Sequence, residues 1–429
     1  MKKKNLYQYI APNVLAMIGM SCYILADTFF VSEAAGTNGI TALNLALPIY
    51  GLIFAIGSMI GTGSAIRYAL AKAMNQKDAD NYFSNALIWD LMISIIFIVL
   101  GVFFPRHVMR FMGADSQIET LGAEYIQIVL CFAPFFMMNY AFTAFVRNDN
   151  APHIAMAGTL LSSLFNIIFD YIFMFPMGMG MQGAALATAV SPIVSILITL
   201  IHYMSPKSAI RFKMIVPSIK MLISSCSLGV VAFVGEIASG ITTMVFNFVL
   251  LGIDGNTAVA AYGVIANTAL VGTAIFNGVS QGLQPLASEA HARADKKETK
   301  HIMRQSITIG LGLAIVLVVL VWIFAPVITD LFNSEKSSQL AAYAIPGIRI
   351  YFAGFFAASV NIIFAGFLSA CDYAKESSIV AVSRGIAAIV FFAIVLPKFF
   401  GITGVWCAFL ASEVFTLFVT ILIGVKKLK

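Results

Sequence analysis

A chain of 429 residues that is 60% hydrophobic and only 11% charged, with a mean hydropathy of +0.92, falls far short of the roughly 25% charged residues that cover a soluble domain. A soluble enzyme and a free-standing binding module are excluded, and a protein that lives in lipid is expected. The formal net charge of +6 would suit nucleic acid, but the placement of the basic residues has a membrane explanation instead.

Apolar stretches of about 20 residues, the length that carries a helix across ~30 Å of hydrocarbon, recur twelve times. The predicted spans begin near Gln8, Ile40, Tyr82, Glu119, Pro152, Gln182, Met221, Ala258, Ile302, Gln339, Ser377 and Thr403. The opening MKKKNLYQYIAPNVLAM has the basic head of a signal peptide. No small-residue cleavage site follows, and the apolar run continues through Phe30, so a retained first span is predicted. Lys2 to Lys4, Arg67, Lys72, Lys77, Arg147, Lys207, Arg211, Lys213, Lys220, Arg293, Lys296, Lys297, Lys300, Arg304, Lys375, Arg384, Lys426, Lys427 and Lys429 fall at alternate span ends. Arg106, Arg110, Lys336 and Lys398 fall at the opposite ends. This bias, with an even span count, places both termini in the cytoplasm of a multi-pass protein of the cell membrane. The longest polar connections, Ser205 to Lys220 and Ala292 to Lys300, are too short for an extramembrane enzyme domain. Cys22, Cys131, Cys226, Cys371 and Cys407 have no paired spacing and read as packing residues. The five histidines sit near span ends without ligand spacing, and no cofactor is expected.

The chain contains two copies of one unit. GTGSAIRYALAKAMNQKD, from Gly61, matches SQGLQPLASEAHARADKK, from Ser280; FFPRHVMRFMGAD matches IFAPVITDLFNSE, pairing Pro105 with Pro326 and Phe111 with Phe332. Asn139, Phe142 and Phe145 pair with Asn361, Phe364 and Phe367, and PMGMGMQGAALATAVS pairs with PKFFGITGVWCAFLAS. Six spans per copy predict two lobes, residues 1–204 and 221–429 joined by a cytoplasmic linker at 205–220. The expected architecture is an all-α membrane protein whose lobes are related by a pseudo-twofold axis along the membrane normal, with a substrate cleft between them.

Gly178, Gly180 and Gly183 spell G-x-G-x-x-G, but no strand precedes them and the topology makes Pro176 to Gly183 a tight hairpin between spans five and six. The repeat keeps Pro397, Gly401 and Gly404 and replaces the first glycine, Gly178, with Phe399. Architecture, not a nucleotide site, is the expectation, and no phosphate-cradling G-x-x-x-x-G-K-[ST] occurs either.

Ionisable groups inside spans are expensive and therefore functional by default. Asp27 and Asp170 lie at about the same depth, roughly 28 Å along their helices from the cytoplasmic ends. Asn166 is one turn below Asp170 on the same face, Thr188 returns to similar depth across the hairpin, and Tyr23 is one turn below Asp27. Two carboxylates and further oxygens in a low dielectric suit a shared proton or a hard cation such as Na⁺. The repeat places Phe391 opposite Asp170 and roughly Phe246 opposite Asp27, so the pair belongs to one copy alone. Glu236, Arg349 and Glu413 are expected near mid-membrane, with Arg349 neutralising one of the acids or Glu236 serving a cationic substrate or second proton; Asp90 is expected to pair with Arg67. Arg349 is the only basic residue placed clearly within a span. A minority of the 36 Phe and 20 Met would line a cleft for ligands of varied shape.

YILADTFFV in span one, NIIFDYIF in span five and QGAALATA at the turn into span six, with twelve spans in two repeats, resemble the multidrug and toxic compound extrusion (MATE) family over the whole chain. The branch most resembled includes the DNA-damage-inducible F proteins. The resemblance implies a transporter, not an enzyme, that exports amphipathic, often cationic small molecules by alternating access, driven by H⁺ or Na⁺. It also implies a functional monomer in the lipid bilayer, with no nucleic acid partner. It assigns the cation or proton site to Asp27, Asn166, Asp170 and Thr188 with Tyr23 adjacent, and a bend of span one to Pro12. Glu236 departs from that branch and matches a coupling acid of other branches. A lipid-linked oligosaccharide flippase of the same superfamily is the alternative; such flippases line their cavity with several Arg and Lys.

Overall fold

The computed structural model describes residues 5–76, 78–332 and 336–427; Lys2 to Lys4, Lys77 and Lys429 of the basic pattern, and Asn333 to Glu335 of the repeat match, lie outside them. Among the described residues the protein is helical without strands. The long helices are α1 (Tyr7–Val31), α2 (Thr41–Ala73), α3 (Asn81–Phe103), and, after the short α4 (Pro105–Phe111), α5 (Ser116–Cys131) with α6 (Ala133–Asn148), α7 (Pro152–Met174) and α8 (Gly180–Met204). They continue as α9 (Ile219–Gly255), α10 (Thr257–Ala292), α11 (Lys296–Phe332), α12 (Ser338–Ala353) with α13 (Phe355–Ala370), α14 (Ala374–Val395) and α15 (Pro397–Lys427). Among the described residues ten helices are long and apolar enough to cross a membrane, and twelve if each of the bent pairs α5/α6 (47°) and α12/α13 (43°) is one span. Every predicted span start lies within a few residues of one of these helices.

The two bends fall at Phe132 and Gly354, equivalent positions of the sequence repeat. The backbone repeats in finer detail as well. Residues in the left-handed region come in equivalent pairs: Gly36 and Gly255, Asn75 and Ala294, Asn150 and Asp372, Gly180 and Gly401, with Gly113 and Lys336 at the same connection but out of register. Gly178, whose counterpart is Phe399, is the one described residue of this kind without a partner. Left-handed backbone is strained for a residue with a Cβ, so its recurrence at the same turns is a signature of one fold used twice. The glycine motif is a helix–helix hairpin, as expected. A Cβ on Gly183 would lie 2.9 Å from the Phe173 carbonyl carbon, and one on Gly404 2.4 Å from the Leu396 carbonyl oxygen. Both glycines let antiparallel helices touch at their backbones.

The chain forms two compact units, Met1–Glu236 and Ile237–Lys429. In the first, α7 packs along α8, and α2 along α6, over a core that includes Tyr68, Phe83 and Phe145. In the second, Tyr351 stacks on Phe409 with ring centroids 4.1 Å apart beside buried Phe352, Phe355 and Trp406. Lipid tails are as apolar as these side chains, so close packing and interhelical hydrogen bonds hold such bundles.

At one end of the first unit, Asp149 ties helices and connection together. Its carboxylate accepts hydrogen bonds from Lys72, from the Tyr68 hydroxyl at 3.1 Å, the Ser208 hydroxyl at 3.3 Å and the Ala209 N–H at 2.9 Å, with His202 Nε2 also at 2.9 Å. Burial pushes this carboxyl up, but the bonds from Lys72, His202 and Ala209 outweigh it and hold it below its ordinary value. The connection then runs over α3, where the Lys213 and Ser218 N–H groups donate to Ser84 Oγ at 2.8 Å and Asn85 Oδ1 at 2.7 Å.

Candidate functional site

The hairpin α7/α8 brings Asn166, Asp170 and Thr188 together, all buried, and the Asn166 amide donates to Thr188 Oγ1 at 3.2 Å. From α1, Asp27 lies within hydrogen-bonding reach of Asp170. Tyr23, one turn away on α1, pairs with the Tyr50 hydroxyl on α2, and Tyr125 on α5 reaches Thr188. The structure therefore assembles all five residues expected at this site and adds Tyr50 and Tyr125. Sequence offered no signal for these two, because tyrosines in membrane proteins concentrate at the interfaces.

Both Asp170 oxygens, Asp27 Oδ1 and Asn166 Oδ1 are buried without a hydrogen-bond partner. Four acceptors on α1 and α7 are therefore left buried and unsatisfied. Two ionised carboxylates facing each other only repel, since neither can donate; one proton between them turns the contact into a hydrogen bond. A hard cation ligated by the same oxygens would satisfy them too. Among the described residues no group of three or more His, Cys, Asp or Glu side chains has metal-binding geometry, so any cation here would depend on the amide and hydroxyl oxygens of Asn166 and Thr188.

On the same unit, Glu236 of α9 accepts a hydrogen bond from Tyr140 of α6 at 3.1 Å. The Tyr140 ring stands edge-on to Phe54, centroids 5.6 Å apart, and Phe54 contacts Tyr50 at 4.1 Å. Tyr140 was also missed by sequence reasoning, for the same reason as Tyr50. Pro12 is buried within α1; lacking an N–H, it leaves the carbonyl one turn earlier without its helical partner.

Two expected pairings are not made. Arg349 is exposed, and the contact there is its own carbonyl accepting from Trp322 Nε1 at 2.9 Å. It neutralises neither Glu236 nor Glu413. Glu413 is instead paired with Arg384, whose Nε is 2.7 Å from Oε1. The Nε–H points off that line, leaving it without a directed hydrogen bond, so the contact is an ion pair. Asn361 donates to Glu413 Oε2 at 2.9 Å, and Thr420 to Asn361 Oδ1 at 2.8 Å. Arg384, counted in the sequence with the span-end residues, turns inward because Ser383–Ala387 is a π-helical turn, whose extra residue redirects its side chain. Arg349 lies within α12 but exposed, and Arg384, inside α14, is the one of the two that meets a buried acid. The Asp90–Arg67 pair also fails: both Asp90 oxygens are buried without a hydrogen-bond partner, while Arg67 Nε donates to the Ser224 carbonyl at 3.2 Å.

Known proteins resemble the chain over nearly its full length. Two multidrug export proteins named MepA are similar: that of Staphylococcus saprophyticus is 26% identical over 96% of this chain and 90% of its own. That of Staphylococcus aureus (strain N315) is 25% identical over the same shares. In fold, the chain matches an outward-facing multidrug resistance MATE family transporter of the MOP superfamily, with a TM-score of 0.90 and 22% identity over 99% of this chain and 96% of the other. A MOP superfamily transporter from Pyrococcus furiosus, described as having a binding pocket of reverse polarity, matches with the same score, identity and coverage. The MatE family matches residues 12–172 and 231–394, one stretch in each copy of the repeat, and the chain is therefore a multi-pass membrane protein that belongs to the MatE family.

Proposed function

We propose that the protein exports amphipathic, cationic compounds across the cell membrane as a single chain with both termini in the cytoplasm, driven by inward movement of protons through the Asp27/Asp170 pair. The observation that carries this reading is the set of unpartnered acceptors at that pair, which one bound cation satisfies and an empty site leaves in repulsion. A proton entering from outside neutralises the pair, lets α1 and α7 close on each other, and is released inward when the protein reverses. The coupling is reciprocal: if the proton weakens substrate binding in the outward state, substrate must weaken proton binding there by the same factor. The names of the Staphylococcus relatives support multidrug export. A flippase for anionic lipid-linked sugars finds less support, because Arg384 is neutralised by Glu413 and Arg349 lies exposed.

The test is reconstitution of wild type, Asp27→Asn and Asp170→Asn in liposomes, with movement of a cationic dye followed under imposed H⁺ or Na⁺ gradients. Wild type is expected to respond to the proton gradient and both variants to lose that response. Transport driven by Na⁺ alone would replace the proton with sodium at the same oxygens, and full driven transport by Asp27→Asn would remove the site from the mechanism.

A further inference from the structure

Asp90 takes no part in the site just described. It lies nine residues into α3, about 14 Å from the Asn81 end at 1.5 Å per residue, on the face that also buries Phe83, Ala86, Leu87 and Phe97. It is fully buried, and neither carboxyl oxygen has a hydrogen-bond partner. An ionised carboxylate survives burial only when paired or hydrogen-bonded. The helices packed on α3 carry Tyr50, Arg67, Tyr68 and Lys72 (α2), Arg106, His107 and Arg110 (α4), Glu119, Glu124 and Tyr125 (α5), and Tyr140 and Arg147 (α6). Among the described residues none of these acts on Asp90, and the titratable group within its electrostatic reach is the Cys226 thiol of α9. A carboxyl beside a thiol lacks the oxygen shell of a hard cation. The ligand that fits is one proton, which makes the carboxyl neutral. Ser94, one turn further on the same helical face, spends its hydrogen on the Leu91 carbonyl at 2.8 Å and gives none to Asp90.

The segment that carries Cys226 makes an unusually close crossing. Cys226 belongs to the stretch Ser225–Gly229, which crosses α2 at backbone contact. A Cβ on Gly63 would lie 2.0 Å from the Ser225 carbonyl oxygen, and one on Gly229 1.9 Å from that of Met59. We propose that Asp90 is a second proton-binding site, separate from the Asp27/Asp170 pair, loaded in this conformation and closed off by the glycine crossing of α2 and α9.

Infrared spectroscopy of the full chain in lipid at neutral pH tests this without any transported substrate, so its outcome is independent of the export reading. A protonated-carboxyl band is expected that disappears in both Asp90→Asn and Asp90→Leu, shifts in Asp90→Glu, and persists in Asp27→Asn and Asp170→Asn. The band should exchange slowly on transfer to D₂O and faster in Gly229→Ala, whose methyl group must force the crossing apart. An unchanged spectrum in properly folded Asp90→Asn would show an ionised carboxylate and overturn the site. Exchange as fast in wild type as in Gly229→Ala would overturn the closure.

Discussion

The two units share their turns, bends and hairpin glycines, yet treat a buried carboxyl in opposite ways. In the second, Glu413 is surrounded by donors: Arg384, Asn361 and, through Asn361, Thr420. In the first, Asp170 and Asp27 face each other, and the nearby Asn166 turns its amide N–H toward Thr188 rather than toward them. A satisfied carboxylate holds a structure together; an unsatisfied pair marks where the proposed coupling would act. The framework is common to both units, and the side chains placed on it differ in which carboxyls they satisfy.

The largest test of that difference is Asp170→Asn, which should reduce gradient-driven transport in liposomes to the passive leak while leaving thermal stability near wild type or higher, because the amide cannot repel Asp27. A large loss of stability instead would make the pair structural. Next, Arg384→Met should lower stability by about 3–5 kcal/mol, since it strands Glu413 as a buried charge. Thermal unfolding in detergent would show this, and Arg384→Met with Glu413→Leu should regain most of it. If the single variant is harmless, the contrast between the units fails.

Asp149 gives an intermediate effect and a sign. Its folded carboxyl is held below its ordinary value, so its contribution is complete above the unfolded value near ~3.9 and is lost as pH falls through the lower folded one. Asp149→Asn should therefore destabilise by about 1.5–3 kcal/mol at neutral pH. The difference from wild type should stay flat down to about pH 5 and shrink only in stronger acid, as read from unfolding midpoints across pH. Smallest and most symmetrical, Gly180→Ala and Gly401→Ala should each cost about 1–2 kcal/mol, because both positions have positive φ. Unequal costs would show that the hairpins of the two units are under different strain.

Much was legible in advance for a plain reason. Crossing a bilayer needs a fixed length of apolar helix, so hydropathy read along one dimension locates the spans, and residue counting ranks groups by depth. That is how Asp27, Asn166, Asp170 and Thr188 are found on three separate helices. Depth says nothing about rotation. Arg349 and Arg384 illustrate the gap: Arg349 has the expected depth but faces outward, while Arg384 is turned inward by a π-helical turn that leaves no mark in composition. Asp90 and Arg67 fail to pair for the same reason.

The sequence by itself thus determined the membrane class, the twelve spans, the doubled unit and the depth of the acid pair, because each follows from length, periodicity or self-similarity. Only the tertiary structure decided which donors face which acids: that Glu413 is satisfied, that Asp170 and Asp90 are not, and that Tyr50, Tyr125 and Tyr140 join the polar interior. Those outcomes depend on how each helix is rotated against its neighbours, and packing sets that rotation.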